Sequence, residues 1–209
     1  MRTLAPAALA VAMLAGSDAT MRATFDDWQP PAQESTRPAT IVVDEGPLPG
    51  SFRALVQKAD VILRARVTAV GAPAEALAGA KTPLAVHLDP LAILETLKAP
   101  AEPLTIQDEL QLMQFGGTIT ASGRTVETIN DVAVTLRKDQ EVVVFLRKHP
   151  ARDAFVLVSS LVGLFEVTNE GSVSVPRDAR ELPELFGKTS MTLADLRAAI
   201  GKASRPILF

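Results

Sequence analysis

The chain has no cysteine and no tyrosine, a single tryptophan and only two histidines, His87 and His149. Without cysteine there are no disulfides, no thiolate metal ligands, no cysteine nucleophile and no lipid attachment through an N-terminal cysteine. Two histidines leave no material for a histidine-rich metal site. Missing tyrosine is unusual for a protein that grips sugars by ring stacking. A formal net charge of -3 over 209 residues does not fit a dedicated nucleic-acid binder. The chain also lacks a Gly-x-Ser-x-Gly elbow, a phosphate loop after Gly116-Gly117, and an Asp-rich loop with EF-hand spacing. No cofactor or metal is therefore expected.

What is present reads as an exported, mostly β protein with enough chain for one domain and appendages. Residues 1–19 have the form of a secretory signal peptide: Arg2, an apolar run from Leu4 to Ala15, and small residues at Ser17 and Ala19. Ala15-Gly16-Ser17 offers a second cleavage site. The run is too short to span a bilayer, and no other segment is apolar enough, so no transmembrane span is expected after signal removal. Residues 20–50 are proline-rich and polar, the composition of a flexible linker, with Ile41-Val42-Val43 as a short strand inside it. Asp26-Asp27-Trp28 in the linker reads as a loop tryptophan packed on the domain or a docking motif.

From residue 51 the patterning changes. Ser51 caps a predicted helix in which Phe52, Leu55 and Val56 share a face. Val61 to Val70 alternates, with Val61, Leu63, Ala65, Val67 and Ala69 on one side and Arg64, Arg66 and Thr68 on the other. An alanine-rich loop covers Gly71 to Pro83, and a strand follows over Ala85–Lys98. Its apolar parity changes across Asp89-Pro90, as at a β-bulge. Further strands are predicted at Leu104–Ile106, Leu110–Phe115 and over Val132, Val134 and Leu136, with a Gly116-Gly117 turn and a polar loop around Ser122-Gly123-Arg124.

Val142–Leu146 is an unbroken apolar run, the signature of a strand covered on both faces. It should form a hairpin with Phe155–Val158, and Leu164–Val167 and Val173–Val175 continue the sheet. Thr192 and Asp195 resemble a capping box opening an amphipathic helix, 192–200, that ends at Gly201. Together these pieces predict a small OB-like, partly open antiparallel β-barrel over residues 51–204, with a short N-terminal helix and a C-terminal amphipathic helix.

The order of several short motifs resembles a diffuse group of uncharacterised secreted bacterial proteins with an OB-like β-barrel. The residues that carry it are Ala59-Asp60-Val61 leading into Arg66-Val67, Leu94-Glu95-Thr96-Leu97-Lys98, Gly116-Gly117, Glu141 to Arg147, and Gly163-Leu164-Phe165-Glu166-Val167. The similarity spans roughly residues 50 to 200. Ala99 stands where the group usually has glycine, and Asp139-Gln140 where it has a glycine-glutamate pair. The resemblance implies a barrel and export, and no activity.

The candidate ligand-binding residues fall in two groups. Arg147, Lys148, His149 and Arg152 crowd one hairpin tip, where they would dock an anion or solubilise the turn. Arg64 and Arg66 on the wet strand face would line an OB-type groove or guard it against edge pairing. The adjacent acids Asp44-Glu45 and Asp108-Glu109 point opposite ways in extended chain, so neither pair can flank one scissile bond. No catalytic residue is assigned.

The reading that follows is a non-enzymatic binding or structural module of the envelope or extracellular space. Its partner would be an envelope protein or an anionic polymer, and not nucleic acid. The alternative is a secreted hydrolase assembled from loop acids. A protease-inhibitor role through the N-terminal segment is disfavoured, because such modules pin that segment with disulfides.

Overall fold

A computed structural model of the chain describes residues 10–15, 19–24, 39–44, 47–73, 75–76, 84–100, 108–121, 123–130, 134–150, 152–168 and 170–205. In chain order the strands are β1 Ala10–Ala15, β2 Ala19–Thr24, β3 Ala39–Asp44, β4 Val61–Val67, β5 Glu75–Ala76, β6 Ala85–Lys98 and β7 Glu109–Phe115. They continue as β8 Gly117–Ala121, β9 Arg124–Ile129, β10 Glu141–Lys148, β11 Phe155–Leu157, β12 Leu164–Val167, β13 Ser172–Ser174 and β14 Ser190–Thr192. Helices α1 (Phe52–Lys58) and α2 (Leu193–Ser204) and two 3₁₀ turns, Asp178–Glu181 and Pro183–Leu185, complete the chain. The predicted Leu104–Ile106 strand, Asp26-Asp27-Trp28 and the last four residues lie outside the described residues.

Two compact units divide the chain, the first of residues 1–47, 72–87 and 114–133, the second of 48–71, 88–113 and 134–209. The first holds a five-stranded sheet in the order β2-β1-β3-β9-β8, in which β3 and β9 run parallel. Its core is small: Ile41, Leu84 and Val126, with Phe115 and Ile119 against them. Gly116 and Gly117 both take positive φ, 145° and 102°, where glycine is favoured, but the tight turn expected there is not formed: Gly117 already begins β8. The polar loop expected around Ser122-Gly123-Arg124 falls between β8 and β9, which pair antiparallel with Ala121 opposite Arg124; Ser122 lies outside the described residues. Of the strand predicted over Val132, Val134 and Leu136, Val132 lies outside the described residues, and residues 134–137 form no strand, although Leu136 is buried.

In the second unit five strands close on themselves in the order β4-β6-β7-β11-β10 and back to β4. This is the small OB-like barrel expected from sequence, with one correction. Antiparallel pairs join most of the ring, but β7 and β11 meet in parallel, at Leu112 and Phe155. Alternation explains the interior: Val61, Leu63, Ala65 and Val67 of β4 and Val142, Val144 and Leu146 of β10 face one core with Leu91, Leu112 and Leu157.

The opposite face of the same two strands carries a second core. Ile62, Val143 and Phe145 pack there with Phe52, Leu55 and Val56 of α1, Phe165 of β12, and Leu196 and Ile200 of α2. The unbroken apolar run of β10 thus has its physical reason, since each face meets a different core. β4 has a fully wet outer face only beyond Ile62, because that residue is covered. β6 stays in register with β4 only through two irregularities, between Ile62 and Leu63 and between Arg64 and Ala65. These set Glu95 opposite Arg64.

Both helices are capped as their sequences indicate. Ser51 Oγ accepts from the Ala54 N–H at 3.0 Å. Thr192 Oγ1 accepts from the Asp195 N–H at 3.0 Å and donates to Asp195 Oδ2 at 2.7 Å. α2 does not stop at Gly201 but continues to Ser204, because Ala203 is buried in the outer core and holds the last turn. Two further caps come from far along the chain. Lys98 Nζ donates to the Val56 carbonyl at 2.9 Å and to that of Ala59, closing the C-terminal end of α1. Burial pushes its ammonium pKa down, and Asp60 nearby offsets part of that.

At the other end of α1, Glu184 accepts from the Phe52 N–H at 2.9 Å and the Arg53 N–H at 3.3 Å. Burial works against the charge of Glu184, but these N–H groups, its own N–H and the Arg53 guanidinium outweigh it and hold the carboxyl below its usual range. A carboxyl whose pKa is lower in the folded than in the unfolded chain stabilises the fold above the unfolded value of 4.5, and that stabilisation fades as pH falls through the lower, folded value. Thermal denaturation between about pH 6 and pH 3 should therefore show Tm dropping on the acid side of about 4.5, less steeply in Glu184→Gln. Parallel curves for the two proteins would remove Glu184 as a contributor.

Candidate binding groove

The alternation of β4 turns Arg64 and Arg66 out of the barrel onto a surface shared with β10 and β6. Cross-strand register supplies their counter-charges, with Glu141 opposite Arg66 and Glu95 opposite Arg64. Arg64 Nε donates to Glu141 Oε1 at 2.5 Å and its Nη1 lies 3.8 Å from Glu95 Oε2. Arg66 Nη2 stands 3.9 Å from Glu141 Oε2. From α2, Arg197 donates to both oxygens of Glu95, at 2.8 and 2.6 Å. Charges therefore alternate along one line, Arg66, Glu141, Arg64, Glu95, Arg197. The Arg197 hydrogen bond holds the Glu95 carboxyl below its usual range against the opposing effect of burial, with Arg64 adding its charge. Glu95 raises the Arg197 pKa in return.

This line opens into a depression of about 940 Å³. One wall is Arg64, Arg66 and Glu141, and the other is Glu166, Val167, Thr168 and Gly171 of β12 and the turn after it. The turn 137–140 forms the end wall with Arg137, Lys138, Asp139 and Gln140. The turn is strapped to the last residue of β4: the Asp139 N–H donates to the Val67 carbonyl at 2.8 Å, and the Val67 N–H to that of Gln140 at 2.9 Å. It is also closed internally, by Gln140 N–H to the Arg137 carbonyl at 3.1 Å and Arg137 N–H to Gln140 Oε1 at 3.0 Å. Asp139 adopts φ 65°, a conformation natural to glycine and tolerated by aspartate. Ala99 is not at positive φ.

The sequence-predicted candidates do not form one site. Arg64 and Arg66 lie at the groove, beside the first residue of β10. Arg147 and Lys148 are its last residues, and His149 and Arg152 follow in the turn, about 23 Å away for seven residues of extended chain. The hairpin itself is as predicted, with Leu146 opposite Leu157 and Lys148 opposite Phe155. At its tip Lys148 Nζ pairs with Asp153 Oδ1 at 2.5 Å and lies 5.3 Å from the centre of the Phe155 ring. Its backbone N–H donates to Asp60 Oδ2 at 2.9 Å. Burial, with the charge of Arg152 adding to it, holds the His149 imidazole below its usual range. Arg147 is exposed and Arg152 half-buried. The Lys148 charge is thus answered locally by Asp153.

Sequence reasoning missed Arg137, Lys138, Glu141 and Glu166 as groove residues. The charged turn before an apolar strand was visible, but its strapping to the end of β4 was not.

Asp108 and Glu109 are both exposed, and Glu109 Oε2 accepts from Thr68 Oγ1 at 3.4 Å. Among the described residues no group of three or more His, Asp or Glu is placed to hold a metal ion, and no helix is long and apolar enough to cross a membrane. Compared with known proteins, the chain matches no family model, no curated protein and no solved structure.

Proposed function

We propose that this chain is an exported, non-enzymatic binding module of the cell envelope or extracellular space, and that the groove beside β4, β10 and β12 is its ligand site. The observation that carries the reading is the groove itself: an open, mixed-charge surface whose cationic wall is held by a strapped turn. Export rests on the leader-like composition of residues 1–19. The hydrolase alternative needs a carboxyl able to hold a proton near neutral pH. Glu141, the most enclosed groove acid whose contacts are given, is engaged by two guanidinium groups, Arg64 at 2.5 Å and Arg66 at 3.9 Å. Among the described residues, the carboxyls of Glu95 and Glu184 are shifted down, the wrong direction for a general acid.

Cross-linking in envelope extract tests the reading with the parent chain, a groove variant (Arg66→Ser, Arg137→Ser, Lys138→Ser) and a hairpin variant (Arg147→Ser, Arg152→Ser). A specific partner captured by the parent and the hairpin variant, and lost by the groove variant, is expected. Loss only in the hairpin variant would move the site to the tip. Cleavage of envelope material by the parent and not by Glu141→Gln would replace the reading with the hydrolase.

A further inference from the structure

We infer that the groove takes an acidic peptide segment of a partner protein, whose carboxylates are held by Arg66, Arg137 and Lys138. The inference rests on the groove being the ligand site and adds the ligand's chemistry. The first argument is the uneven distribution of charge. The groove brings Arg64, Arg66, Arg137 and Lys138 against Asp139, Glu141 and Glu166. Arg64 makes the close contact with Glu141, whose side chain is only 19% exposed. Arg66 reaches the same carboxylate only at 3.9 Å and is 52% exposed. Arg137 contacts Glu166 at 3.4 Å and is 73% exposed. The inner pair is thus neutralised, while the outer guanidinium groups keep donors directed to solvent. Their planar forks match carboxylates two bonds at a time.

The second argument is preorganisation. The turn bearing Arg137 and Lys138 is fixed by four hydrogen bonds among residues 67 and 137–140, so little backbone freedom is lost on binding.

The third argument concerns which polyanion fits. Among the described residues no aromatic side chain lines the groove, so neither sugar rings nor bases find a stacking platform there. Glu141 and Glu166 also penalise a densely charged strand. Single-stranded nucleic acid carries a charge about every 3.4 Å or more, close enough to set phosphates on those acids. An extended peptide with an acid at alternate positions spaces its same-face carboxylates by about 7 Å and offers N–H groups between them, which Glu166 can accept.

The test is fluorescence anisotropy with a labelled (Gly-Glu)5 peptide, its (Gly-Gln)5 counterpart, and an oligouronate of equal charge. The parent chain should bind the acidic peptide saturably and ignore the neutral one. Arg137→Ser with Lys138→Ser, which alters only exposed side chains, should weaken binding about tenfold. Arg66→Ser should do the same, and Arg147→Ser with Arg152→Ser should leave it within about twofold. Equal weakening in groove and hairpin variants would reduce the effect to net charge and overturn the proposal. No saturable binding of (Gly-Glu)5 overturns it too. If the oligouronate binds more tightly and is lost in the groove variants, the peptide assignment falls while the groove remains the ligand site. If no probe depends on the groove residues, both fall.

Discussion

Phe145→Ala is expected to destabilise the second unit by about 3–5 kcal/mol, out of a total that for most domains is about 5–15 kcal/mol. Phe145 is fully buried and stands between two other rings, 5.8 Å from Phe52 at an edge-on angle of 75° and 5.4 Å from Phe165. The three rings come from β10, α1 and β12, so they tie both the helix and the added strands to the outside of the barrel. Truncation removes buried ring surface, leaves a cavity and breaks two aromatic contacts at once. Urea unfolding followed by circular dichroism should show a lower midpoint with an unchanged slope. Phe186→Ala, at a side 78% exposed, serves as the control and should shift stability by under about 0.5 kcal/mol. A loss below about 1 kcal/mol for Phe145→Ala would mean that the outer layer is not a packed core.

Gly163→Ala should be comparably severe for a different reason, at roughly 2–3 kcal/mol. A Cβ at this position would stand 2.5 Å from the Ser159 carbonyl oxygen, a backbone atom that cannot swing aside. The same oxygen accepts from the Gly163 N–H at 2.7 Å, and the Gly163 carbonyl accepts from the Phe145 N–H at 2.9 Å. The substitution must therefore open the turn or pull β12 away from β10, where Leu164 pairs with Val144. Gly201→Ala inside α2, where nothing lies within 4 Å, isolates the steric cause. It should be neutral or gain up to about 1 kcal/mol from helix propensity. Similar unfolding midpoints for Gly163→Ala and the parent would refute the close approach.

Several of the short motif residues turn out to be junctions. Asp60 accepts from the Lys148 N–H, Glu95 joins Arg64 to Arg197, Lys98 closes α1, and Gly163 makes the close turn. Asp60, Glu95 and Lys98 each act on a partner distant in the chain, so the sequence shows the residue types but not the partner. The β8–β9 hairpin was misread because its Thr-rich strands alternate weakly, and strand preference depends on neighbours rather than on the residue alone.

The alternation of β4, the two-faced apolar run of β10, the Ser51 and Thr192 caps and the hairpin after β10 were determined by the sequence, because each depends on residues within about one element length. Closure of the barrel through the parallel Leu112–Phe155 contact, the capping of α1 by Glu184 from 132 residues away and the assembly of the groove were decided only by the tertiary structure. These depend on strand order and register, through which residues remote in the chain meet. Arg66 and Glu141 share a surface because β4 and β10 are neighbours, and no local pattern records that adjacency.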